Sequence, residues 1–208
     1  MVYPPTPRSE FLDALAAEIL HNYAKGRVLV SVDGVVGGRA FADDVAIALS
    51  ETGHAVFRAS LDDFQRPRAL RVKRGAHSAE AYYLDWFDYS AFLRVLIQPF
   101  RMGGSAGFIT ANFDAARDMP RESRWVTGPQ DAILVIDGPF LQRPELRGNA
   151  NFIAYLETPA EALGADLDAQ LAGAATLYEE AVGPRMLADA IISADNPAAP
   201  TRLFADRC

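Results

Sequence analysis

Two adjacent carboxylates, Asp62 and Asp63, follow a short β-rich run at 55–60. A third, Asp137, ends the nearly all-apolar run 132–136 (AILVI) and is followed by Gly138-Pro139. Acids at strand ends suit proton and metal work. One of the pair could take the proton of a substrate hydroxyl while the other acts through a metal-bound water. A lone acid at the tip of a buried strand, beside a phosphate loop, is placed to hold Mg²⁺. The same pair could equally cap a helix or close a turn. The loop that Asp137 would need is offered by Gly34, Gly37 and Gly38, with Arg39 just after them. A glycine-rich stretch between strand and helix presents backbone N–H groups where an anion is welcome, or it simply makes a tight turn.

The elements needed to position these groups are legible from periodicity. Phe11, Leu12, Leu15, Ala16, Ile19, Leu20 and Tyr23 recur at helical spacing behind Ser9, a plausible N-cap. A strand is expected at 27–32 and a second helix through Phe41, Val45, Ala46 and Leu49, ended by Gly53; the second strand follows at 55–60. Strand, glycine loop, helix and strand make a βαβ unit, whose crossover favours a parallel sheet. The run 132–136 fits the buried centre of such a sheet. Further strands are expected at 108–113, 151–156 and 190–193. Helices are expected at 89–98, stopped before Pro99, and at 159–171 behind Thr158, a possible N-cap. The expected class is α/β: a doubly wound, mostly parallel sheet flanked by helices, in one domain over 1–208, with 1–8 and 197–208 as terminal extensions.

Composition narrows the function. The 208 residues carry 27 acids and 20 bases, a net charge of −7, with 50% hydrophobic side chains. A chain this long buries roughly 70% of its unfolded surface and needs no staple. The single cysteine, Cys208, rules out an internal disulfide, and three scattered histidines suggest no zinc motif. No apolar run approaches the ~20 residues that span a bilayer. The proline-rich start does not read as a secretory signal, so the expected compartment is the cytoplasm. The only lysines are Lys25 and Lys73. The stretch 64–79 has Arg66, Arg68, Arg71, Lys73 and Arg74 and no acid, whereas 148–184 has no base and holds Glu157, Glu161, Asp166, Asp168, Glu179 and Glu180. An acidic protein with one basic segment is suited to a small anion rather than to nucleic acid. The basic segment could also be a solvated loop. The expected partner is a small-molecule acceptor or ligand, with neither nucleic acid nor membrane; oligomeric state stays open.

Four stretches, VLVSVDGVVGG at 28–38, RASLDDFQRPR at 58–68, AEAYYLDWFDY at 79–89 and AILVIDGPFLQRPELR at 132–147, resemble the uridine kinase-like family of P-loop kinases, as does LYEEAVGPRMLADAIISADNP at 177–197. The resemblance implies the P-loop kinase-like fold and transfer of the γ-phosphate of ATP, with Mg²⁺, to a hydroxyl, usually that of a nucleoside. It makes Asp62 the acceptor-side base, Asp63 its neighbouring acid and Asp137 the metal-side acid. Gly34, Gly37, Gly38 and Arg39 become the phosphate loop. Arg66, Arg68, His77 and Tyr83 fall where the family builds its acceptor pocket; plain packing is the other reading for Tyr82, Tyr83, Trp86 and Phe87.

Two departures weigh against activity. The loop is about two residues shorter than the family's GVDGAGKTTFA-like sequence, and its lysine and metal-binding threonine have no counterpart; Arg39 and Ala40 stand there instead. A planar guanidinium does not replace a point-like ammonium in a tight cradle. The segment 161–180, where the family's lid carries arginines, has no base. An arginine finger alone contributes roughly 10³–10⁵ in rate. The expectation is therefore a catalytically impaired or inactive relative that binds a small ligand or a partner protein, with Mg²⁺ and ATP as cofactors only if it is active. The alternative is an active nucleoside kinase with an atypical ATP site, in which Arg39, with Arg185 or the 66–74 cluster, supplies the missing charge. A third reading is another reaction in the same cleft.

Overall fold

The computed structural model describes residues 6–157, 169–193 and 195–204. Helix α1 (Arg8–Asn22) begins one residue before the expected cap: Pro7, not Ser9, is the N-cap, its ring presetting the turn, and no side chain caps the helix. Strand β1 (Arg27–Asp33) leads through residues 34–37 into α2 (Gly38–Glu51), and β2 (Val56–Ser60) follows. A 3₁₀ turn (Leu61–Phe64) carries the chain off the sheet into α3 (Arg68–Arg71) and α4 (Ala79–Asp85).

The next helix does not stop before Pro99. Short α5 (Tyr89–Phe92) passes through a π turn (Leu93–Ile97) into α6 (Gln98–Met102). Pro99 falls in the first turn of α6, where its missing N–H is not needed, and the wide turn makes the join. The strand expected over 108–113 shrinks to a bridge between Phe108 and Val126 and a small hairpin, β3 (Phe113–Asp114) with β4 (Met119–Pro120).

Strands β5 (Ala132–Gly138) and β6 (Phe152–Glu157) return to the sheet. Helix α7 (Ala169–Val182) runs longer than the sequence suggests; Thr158 and most of 159–171 lie outside the described residues. Helix α8 (Pro184–Leu187) and β7 (Ala190–Ser193) come next, and the segment expected to be a tail adds β8 (Thr201–Leu203), antiparallel to β7.

Among the described residues the main sheet has the order β2-β5-β1-β6-β7-β8, and every pairing but the last is parallel. The side-chain period of two sends Leu29, Leu134 and Ile136 to one face, against Phe92, Leu96, Phe100 and Phe140. Val28, Val30, Ile133 and Val135 go to the other, against Ile19, Phe41, Val45 and Leu49. Each such large side chain contributes roughly 1.5–3 kcal/mol by burial. Both faces are thus covered, as a parallel sheet requires. Among the described residues no helix is long and apolar enough to cross a membrane.

Candidate functional site

The register of the parallel strands places the candidate acids at one sheet edge. Ser60 at the end of β2 pairs with Asp137 on β5, and Val32 on β1 pairs with Asp137 from the other side. Gly138 follows with φ +156°, and a Cβ there would stand 2.5 Å from the Leu61 Cβ, so only glycine lets the 3₁₀ turn close over the strand end. Gly34 is similarly confined: an added Cβ would lie 2.9 Å from the Leu156 Cβ. The loop ends at Gly37, the N-cap of α2, with φ +75°. Gly38 starts the helix so close to Asp137 that a Cβ on it would be 3.9 Å from the Asp137 Cβ. The structure thus brings Gly34, Gly37, Gly38, Arg39, Asp62, Asp63 and Asp137 to one neighbourhood.

Asp137 is 2% exposed, and its carboxylate is already engaged. Arg58 Nη2 donates to Oδ1 at 2.7 Å and Ser60 Oγ donates to Oδ2 at 2.9 Å. Arg58 is itself clamped: it bonds Asp43 on α2 through Nε at 2.9 Å, and the carbonyls of Ala59 and Val135 at 2.7 and 3.0 Å. A buried carboxylate needs a counter-charge, and here β2 supplies it. Arg58 and Ser60, two apart, share a strand face, and the register sets them opposite Val135 and Asp137.

Whether Mg²⁺ suits these residues is decided by the same contacts. Each oxygen of Asp137 already accepts a hydrogen bond, one of them from the Arg58 guanidinium, Ala40 offers no hydroxyl, and among the described residues no group of three acid, histidine or cysteine side chains could hold a metal. A hard cation needs several free oxygens. The residues present do not fit the ion.

Asp62 and Asp63 lie in the 3₁₀ turn, whose N-cap Ser60 accepts from the Asp62 N–H at 3.4 Å. Burial raises the Asp62 pKa, the neighbouring Asp137 raises it further, and Arg39 opposes both. Arg39 Nη2 stands 3.8 Å from Asp62 and 3.9 Å from Asp63, and Arg121 reaches Asp63 at 3.7 Å. With the β3–β4 hairpin these residues wall an open cleft of about 850 Å³. A carboxyl poised above its usual range beside an arginine can accept a proton from a hydroxyl held there.

The expected acceptor residues lie elsewhere. Tyr83, 9% exposed, packs edge-on to Phe140 under the Arg143 guanidinium, in the core. Arg66 is 3.8 Å from Asp85 and lines a separate hollow with Lys73 and Arg74. Arg68 opens α3, its N–H bonded to Asp118 at 2.7 Å, and His77 is exposed. None of the four is among the residues lining the cleft. Arg185 forms a close ion pair with Glu157. Of the acidic stretch, Glu161, Asp166 and Asp168 lie outside the described residues.

One buried acid escaped the sequence reading. Asp33, fully buried at the end of β1, accepts from Tyr178 OH at 2.5 Å, Gln142 Nε2 at 2.9 Å and the Leu141 N–H at 3.1 Å. Burial lifts its pKa to about 6 against the lowering effect of those bonds. Asp33 joins the strand before the glycine loop to α7. Its partners are 109 and 145 residues away, so no local pattern could have announced them.

No protein-family model matches the chain, and no curated protein matches it. Solved structures do. A possible uridine kinase from Bacillus stearothermophilus is 26% identical, with a TM-score of 0.74 over 88% of this chain and 97% of that one. A protein named as a fructose transport system kinase from Silicibacter sp. TM1040 is 24% identical, with a TM-score of 0.60 over 82% and 95%. D-glycerate 3-kinase from Cryptococcus neoformans is 12% identical, with a TM-score of 0.55 over 84% and 87%. The strand order, the glycine loop and these likenesses together give the chain a P-loop kinase-like fold, related to those of uridine, fructose and glycerate kinases.

Proposed function

We propose that this protein is a kinase-fold relative that has lost the use of Mg-ATP and binds a small hydroxyl-bearing molecule in the cleft beside Asp62 and Asp63. The observation that carries the reading is the Arg58–Asp137 pair at 2.7 Å. It fills the place where a metal-holding acid would need free oxygens. Phosphoryl transfer depends on positive charge and metal around the phosphates rather than on covalent chemistry from the protein. Here Arg39 is the one cation of the loop, and it already faces two aspartates. The acceptor side keeps its acids in place, which supports binding without transfer.

An active nucleoside kinase with an atypical ATP site is the competing reading. It draws on the raised pKa of Asp62 near Arg39, the condition of a base ready for a hydroxyl proton. Incubating the full chain with ATP, Mg²⁺ and each of uridine, fructose and D-glycerate, the acceptors named for the relatives, separates the two. Acceptor-independent background ADP is expected; acceptor-dependent ADP at enzymatic rates would establish the competing reading.

A further inference from the structure

We infer that a cavity on the face of the sheet opposite α2 binds a neutral, mostly apolar molecule of single-ring size that carries a hydroxyl group. The cavity has a volume of about 140 Å³. Its floor is the sheet itself: Leu29 and Ser31 on β1, with Ile136 and Ile153, the partners of Ser31 on β5 and β6, to either side. Phe92 and Leu146 cover it. It opens between the exposed Arg147-Gly148 pair and Leu187, which is 43% exposed. None of its lining residues borders the cleft at Asp62 and Asp63, so the two sites are separate.

Two buried polar groups interrupt the hydrocarbon lining. Ser31 is 3% exposed, and its hydroxyl has no hydrogen-bond partner among the described residues. Gln142, also 3% exposed, donates through Nε2 to Asp33 at 2.9 Å. That bond turns the amide oxygen away from the carboxylate, and Oε1 is buried with nothing donating to it. Buried polar groups ordinarily find partners, because leaving one unmatched is costly. A ligand hydroxyl serves either group: it accepts from Ser31 and donates to Gln142. The remaining polar side chain, Asn149, is engaged with the Leu146 carbonyl at 2.9 Å. Floor and cover are otherwise apolar, and the volume is close to the roughly 150 Å³ hole that holds benzene in an engineered protein core. A charged ligand is disfavoured. Asp33 stands behind the Gln142 amide, and the one charged residue lining the cavity, Arg147, is exposed at its mouth.

Phenol and toluene, alike in shape and differing in the hydroxyl, test this on the full chain, each titrated against para-fluorophenol followed by fluorine NMR. Phenol is expected to saturate with a Kd below about 5 mM and to bind at least about fivefold tighter than toluene, as one buried hydrogen bond allows. S31A should weaken phenol by a similar factor and leave toluene unchanged, a split that lost packing alone would not produce. S31L, which fills the space from the same floor position, should abolish binding of both at a retained cooperative urea transition. No saturable phenol binding up to about 5 mM, a smaller preference over toluene, or an S31A variant that leaves phenol unaltered or weakens both alike would each overturn the inference. So would binding retained by a folded S31L; should S31L not fold, the S31A comparison decides alone.

Discussion

Arg58 on β2 and Asp137 on β5 form an ion pair at 2.7 Å, and the same guanidinium reaches Asp43 on α2 at 2.8 Å. The pair therefore ties two strands to the helix that follows the glycine loop, at the point where a metal-using kinase would need its acid free. The carboxylate is 3% exposed as a side chain and the arginine 24%, so solvent screens the interaction little. Its first consequence is structural. R58A leaves a buried carboxylate without its cation, and breaking such a pair costs about 3 kcal/mol. A lowered urea midpoint at pH 7, with an unchanged denaturant slope, is the expected readout.

The same pair bears on attempts to rebuild the donor side. Grafting AGKTT-type sequence between Gly34 and the buried Phe41 adds the ammonium and the hydroxyl but leaves Asp137 engaged. The graft alone should therefore give little Mg²⁺-dependent gain in ATP affinity. The graft combined with R58V should give a larger one, measured by calorimetry with and without Mg²⁺. Equal gains in the two proteins would remove Arg58 from the account.

Asp33 sets a pH dependence of stability. Its folded pKa, about 6, lies above the ordinary aspartate value of 3.8, so the folded state holds its proton more tightly than the unfolded state. The stability this contributes is complete below about pH 4 and is lost as pH rises through about 6. At roughly 1.4 kcal/mol per unit the full effect is about 3 kcal/mol. D33N should flatten the fall in urea midpoint between pH 4 and 6.5. Gln142 eases the replacement: its Oε1 is buried without a partner, and turning the amide would offer that oxygen to the new NH₂.

Gly138→Ala should destabilise by about 2 kcal/mol, because the added methyl would meet Leu61 at 2.5 Å between a strand end and the 3₁₀ turn, neither of which can give. The cleft acids ride on that turn, so ligand affinity should fall with stability, as thermal melts and titration of the same variant will report.

The sheet was largely legible because its strands are short apolar runs bounded by glycine, proline or acid, and the βαβ order fixes parallel pairing. The position of Asp62, Asp63 and Asp137 at the sheet edge was readable for the same reason: they follow such runs. The electrostatics were not. Arg58 and Asp137 are 79 residues apart, and an arginine in a strand ordinarily points to solvent. Asp33 shows the same limit, since Tyr178 and Gln142 come from distant elements. Pro99 misled through a sound rule, because a π turn let the helix resume beyond it. Tyr83 lay in an aromatic-rich stretch whose composition suits pocket wall and core alike, and packing with Phe140 took it inward.

The most direct test is calorimetric titration of the unaltered protein with ATP, in Mg²⁺ and again in EDTA. If Arg58 occupies Asp137, the two affinities will agree within error and both will be weaker than about 1 mM. A tight ATP complex that forms only with Mg²⁺ would contradict that assignment and return the protein to the working kinases.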